Sequence, residues 1–255
     1  MSALVAKAIL ISLIVGFVTA SIKSYIDRVF LVLLMVFILK LPVPQAIPIN
    51  LLVMSLASYF FYARHEGKLR ALPREQLWGA VASAGAGAII GRLMAIAVGA
   101  KALAVLLGLY AIGVGLRLLL VKVVPPAVER RLGSAAYPLA FGWATVTGLV
   151  SAGGKPFQVP ILVRWLKITP NQAYIFASLA TLSAAIGAVL TQLVAGPQAF
   201  AGAAAGWALY FFASITVVAL VVERFWTPKL QQVVSSIVGP LLVLAGLRLG
   251  MAVLR

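Results

Sequence analysis

Long apolar runs, interrupted by one charged and glycine-rich stretch, constrain this chain more than any other feature. Runs at 3–20, 46–62, 76–98, 102–121, 135–152, 172–194, 204–222 and 230–254 carry few charges. At 1.5 Å per helical residue, each is long enough to cross most or all of a ~30 Å hydrocarbon core. The interruption, 148–160, reads Gly-Leu-Val-Ser-Ala-Gly-Gly-Lys-Pro-Phe-Gln-Val-Pro. Gly153 and Gly154 free the backbone, while Pro156 removes an amide donor and resists a helix interior. Irregular backbone at membrane depth is tolerated only where protein or a water-filled cavity covers it. Lys155 adds a charge that lipid opposes. The stretch therefore marks a site within the membrane.

The same device recurs. Gly16, Val18, Ala20 and Lys23 return as Gly148, Val150, Ala152 and Lys155, each 132 residues later. Thr19 then matches Ser151, and Tyr25 matches Phe157. Pro42, Asn50 and Ser55 match Pro170, Ser178 and Ser183 at an offset of 128, and Gly115-Leu-Arg-Leu returns as Gly246-Leu-Arg-Leu at 131. Three matches in one order at nearly one offset indicate a duplicated unit. The expected division is a membrane repeat over 1–124, a cytoplasmic linker at 125–134 and a second membrane repeat over 135–255.

Composition agrees with an all-α polytopic membrane protein. Of the 255 residues, 63% are hydrophobic and 10% charged, too little polar surface to cover a soluble globule. The net charge of +16 would suggest nucleic acid in a soluble chain. Here the basic residues cluster in short loops and at span ends, where topology and anionic headgroups account for them, so no nucleic-acid partner is expected. Without cysteine and with a single histidine, His65, the chain has neither a thiol nucleophile nor an ordinary metal-ligand set. No cofactor is expected. Run 3–20 has no convincing cleavage site and belongs to the repeat, so it is read as part of the mature protein.

The short apolar stretch 29–39 spans roughly 16 Å as a helix, about half the core. It and its counterpart 159–166 read as half-helices or re-entrant hairpins, each followed by about three spans. The basic segments 64–75 and 122–133 are expected as cytoplasmic loops, as is 223–229, with the uncharged turn 195–203 outside. On that assignment the halves have opposite orientations, as inverted repeats about an axis in the membrane plane. Broken segments at matching places in two inverted halves point to a transporter site near the midplane.

The motif residues also carry a family likeness. The stretch 148–162, followed by Ile168-Thr-Pro-Asn-Gln-Ala and Ala177-Ser-Leu-Ala-Thr, resembles the TauE/SafE sulfite exporter family. The likeness spans the chain in layout and the second half in motif. In the first half, Ala20-Ser-Ile-Lys-Ser-Tyr-Ile-Asp-Arg stands where that family usually has a glycine run. The resemblance implies transport, usually outward, of small sulfur anions such as sulfite, sulfoacetate or related organosulfonates across the cell (inner) membrane.

Lys23 and Lys155 are the candidate anion ligands, although either also fits a snorkelling lysine at a helix end. Gly153 and Gly154 would expose amides at the start of a half-helix. Ser21, Ser24, Ser151 and Gln158 have donors for sulfonate oxygens, and the serines fit back-bonding to their own helices equally well. Asn50 and Ser178 fall at matching places in the third segments and are placed on the same cavity. Asp27 pairs with Lys23 or Arg28 or, alternatively, titrates in proton coupling. Arg92 is expected to snorkel, and Arg117 and Arg248 to anchor the spans at opposite faces. Two competing classes are an intramembrane hydrolase built on Ser151 and Lys155, and a scaffold that transports nothing.

Overall fold

The computed structural model describes residues 2–21, 29–69, 73–120 and 132–254. Ten α-helices run in order: α1 Ser2–Ser21, α2 Val29–Phe37, α3 Val43–Leu69, α4 Arg74–Ala97, α5 Ala100–Leu120, α6 Ala136–Val150, α7 Lys155–Arg164, α8 Pro170–Ala195, α9 Ala204–Glu223 and α10 Pro228–Leu254. A short 3-10 turn, Pro197–Phe200, follows α8. Seven of the helices are long and apolar enough to cross a membrane; α6 is shorter. Helix is the economical answer to such a sequence, because it satisfies every interior amide within the segment.

The two half-helices are shorter than any span. α2 has 9 residues and α7 has 10, or roughly 13–15 Å each. Both end in the same way. Lys40 and Lys167 take left-handed backbone at φ 59° and 58°. The amide of Leu41 then reaches back to the Met35 carbonyl, and that of Ile168 to the Leu162 carbonyl, both at 3.2 Å. The closing bond recovers carbonyls that a helix end leaves without partners. In this stretch the backbone repeats at an offset of 127, one less than the sequence match, which sets Asn50 level with Ala177. α8 starts sharply, with the Thr169 hydroxyl accepting from the Gln172 amide at 3.2 Å and Pro170 in the first turn.

Two sequence expectations change. The segment 64–75 is not a loop throughout, since α3 continues to Leu69 and α4 begins at Arg74. Arg, Glu and Lys are good helix formers, and a helix can carry them past its apolar part. Pro156 does not prolong the break. It occupies the first turn of α7, where a missing amide costs nothing.

Packing interlocks the two sets of five helices. α4 packs on α6 and α8, while α9 packs on α1 and α3. Glycines set the closest approaches: Gly87 and Gly91 of α4 lie against the Phe141 and Thr145 carbonyls of α6, and Gly148 lies against Ala88. Where α5 crosses α10, Gly108 meets Gly246 and Gly115 meets Gly239. Numbers rise along one helix as they fall along the other, so α5 and α10 run antiparallel. Without a hydrophobic force between helices in lipid, close van der Waals packing of this kind does much of the holding.

Candidate functional site

α6 ends at Val150 because Ser151 turns into left-handed backbone (φ 52°, ψ 32°) while its amide still bonds the Thr147 carbonyl at 2.8 Å. Residues 151–154 then form the break before α7. Three consecutive carbonyls of the break each receive a side-chain donor. Asn50 Nδ2, from α3, donates to the Ser151 carbonyl at 2.6 Å. The Thr147 hydroxyl lies 3.0 Å from the Ala152 carbonyl, and the Tyr110 hydroxyl of α5 donates to the Gly153 carbonyl. Three residues before Ser151, in the last turn of α6, Arg92 Nη1 of α4 approaches the Gly148 carbonyl at 3.4 Å. Each of these carbonyls therefore has a donor within reach, although the Thr147 hydroxyl, with one proton, is shared with the Trp143 carbonyl at 2.9 Å. What the break leaves to a ligand is its positive side.

Lys155 opens α7 and is buried, with Nζ 4.3 Å from the centre of the Tyr174 ring on α8. It lines a cavity of about 140 Å³ together with Pro156, Val159, Tyr174, Val114, Arg117, Leu118 and Leu242. Val18, Val29 and Phe30 complete the wall. Val18 lies in the last turn of α1 and Val29 opens α2, so residues near the start of both halves line one cavity. Arg117, read from the sequence as an anchor, brings a second cation to this wall. Its sequence counterpart Arg248 is exposed, with its guanidinium carbon 5.4 Å from the Phe37 ring centre. The repeated Gly-Leu-Arg-Leu motif signalled that both arginines matter but not which one faces inward.

The other expected residues are spread over several places. Gly154 and Gln158 face a separate narrow recess with Trp143, Thr147 and Thr181, and Gln158 Nε2 has no acceptor among the described residues. Ser151 is fully buried and its Oγ sits 3.1 Å from Asn50 Nδ2, so both serve the break itself and neither lines the cavity. Gly153 contributes its carbonyl to Tyr110. Ser178 back-bonds to the Tyr174 carbonyl at 2.7 Å. Ser21 ends α1. Lys23, Ser24, Asp27 and Arg28, with the pairing read for them, lie outside the described residues. Arg92 does not snorkel. It is 3% exposed, because the glycines of α4 draw α6 over it. Tyr110, Thr147 and Tyr174 carried no signal in the sequence, being ordinary span residues until the fold places them beside the break.

The family model for Sulfite exporter TauE/SafE matches residues 8–249, nearly the whole chain. The chain belongs to this family. No curated protein and no solved structure shows a significant match. TauE/SafE proteins are transporters of sulfite and related sulfur anions, which makes this chain a transporter and not an enzyme. The hydrolase reading of Ser151 and Lys155 is set aside accordingly. As a TauE/SafE protein with seven membrane-length helices, it is an integral multi-pass membrane protein.

Proposed function

We propose that this TauE/SafE protein exports small organosulfonates such as sulfoacetate, as well as sulfite, by alternating access around the Lys155 cavity. The observation that carries the reading is the cavity wall, which joins Val18 of α1 and Val29 of α2 to Lys155 of α7 and includes two basic side chains, Lys155 and Arg117. Basic groups attract the anionic head, and the apolar wall formed by Val18, Val29, Val159 and Leu242 suits a short carbon body. Lys23 is the first-half partner of Lys155 in this reading, with Ser21, Ser24, Ser151, Gly153, Gly154, Gln158, Asn50 and Ser178 supporting the surrounding polar network.

The halves, 1–124 and 135–255, act as inverted repeats joined by 125–134. The antiparallel crossing of α5 and α10 supports this, as do the exchanged contacts of α4 and α9. Each break then serves as the gate for one side. Asp27 and Arg28 belong to the coupling or ion-pair group, and the cell (inner) membrane is the site of action. Flux of sulfite and sulfoacetate into proteoliposomes tests the proposal. Lys155→Gln should raise the half-saturating concentration of both anions. Unchanged half-saturation and flux in a protein of normal abundance would overturn it.

A further inference from the structure

Arg92 is buried where α4 crosses the end of α6, with Nη1 on the Gly148 carbonyl and no acceptor for Nε among the described residues. Neither α6 nor α8, the helices on which α4 packs, carries an acidic residue. A guanidinium at that depth is costly, and packing does not require it. The equivalent crossing in the other half places Gly16 of α1 against the Ile215 carbonyl and Val218 of α9. Gly148 likewise meets the Ala88 carbonyl and the Arg92 amide. Aligning Ala88 with Ile215 puts Ala219 at the place of Arg92, four residues on. Ala219 is fully buried, so the same crossing closes without a charge.

The end of α6 provides the reason for one. Its last carbonyls point toward the break and form the negative end of the helix dipole. Left alone, that end would oppose an anion beside Lys155. We propose that Arg92 is a positioning residue that offsets the negative end of α6, so that the break presents a net positive potential to the substrate. It touches the Gly148 carbonyl and not the anion. The proposal rests on the reading of the Lys155 cavity as the anion site.

Sulfite flux in anaerobic proteoliposomes separates the two ideas, using Arg92→Met, Arg92→Lys and Lys155→Gln. Methionine is chosen because replacing a buried charge by an apolar chain of similar length usually costs little stability. Arg92→Met should raise the half-saturating sulfite concentration about 5- to 30-fold, as for a partly buried cation at a helix C-terminus. Maximal flux should hold within about twofold, and Arg92→Lys should restore half-saturation to within about threefold of the unmodified protein. Unchanged half-saturation in Arg92→Met, or equal impairment by lysine and methionine, would overturn the role assigned to Arg92. Should Arg92→Met fail to accumulate, Arg92→Lys decides: retained half-saturation supports the charge, and a rise of about tenfold or more removes it. If Lys155→Gln leaves half-saturation unchanged, the cavity reading falls instead.

Discussion

Gly108 on α5 and Gly246 on α10 face each other so closely that a methyl group on either would collide with the other's backbone. Added to Gly108 it would lie 2.8 Å from the Gly246 carbonyl oxygen, and added to Gly246, 2.5 Å from that of Gly108. Neither obstacle is a movable side chain. Gly246→Ala should therefore destabilise the protein by about 1–3 kcal/mol through overpacking. Gly250→Ala, one turn on with open space around it, should be neutral or stabilising by up to about 1 kcal/mol. Thermal unfolding of the two variants in detergent checks the contrast, and equal melting temperatures would contradict this packing.

The proposed opposite orientation of the halves is open to chemical labelling. The chain has no cysteine, so single cysteines can be introduced without background. Ser134 and Gln198 are both exposed. Ser134→Cys should resist a membrane-impermeant maleimide applied to intact cells, and Gln198→Cys should react. The reverse pattern would remove the inverted arrangement.

Asn50 gives a third test, because only a donor suits its place. Its Nδ2 holds the buried Ser151 carbonyl, whereas a carboxylate there would set acceptor against acceptor. Asn50→Leu should cost about 1–3 kcal/mol, the usual result of stranding a buried partner. Asn50→Asp should cost at least as much and raise half-saturation for sulfite, since negative charge then enters the break. A fully active, stable Asn50→Asp protein would show that the break does not depend on this bond.

The two arginines of the repeated Gly-Leu-Arg-Leu motif should behave differently. Arg117→Gln removes a cation from the cavity wall and is expected to raise half-saturation roughly tenfold or more, as for loss of a charged hydrogen bond. Arg248→Gln should stay within about twofold, since an exposed cation over a ring contributes little. Transport kinetics of both variants against sulfite make the comparison. Equal effects would place both arginines in one role.

Apolar runs and helical class were legible from residue order alone, because in lipid a backbone has few ways to satisfy its amides; run 135–152, read as one of eight long segments, became the shorter helix α6, leaving seven helices of membrane length among the described residues. The Gly-Gly-Lys-Pro interruption was legible for the same reason, as was the burial of Lys155 at a helix start. Tertiary structure decided what surrounds that start. Asn50 and Tyr110 reach the break, and Arg92 the last turn of α6, from three different helices; the repeat singled out Asn50, but nothing in the sequence announced the backbone partner of any of the three. Arg117 and Arg248 share one motif, yet one lines the cavity and the other lies exposed over Phe37. Arg92 and Ala219 occupy the same crossing in the two halves, one charged and one apolar. Periodicity and composition report how each segment meets its solvent. Which side chains share a cavity depends on how distant helices approach, and here that approach is set by glycines too small to register in any hydrophobic pattern.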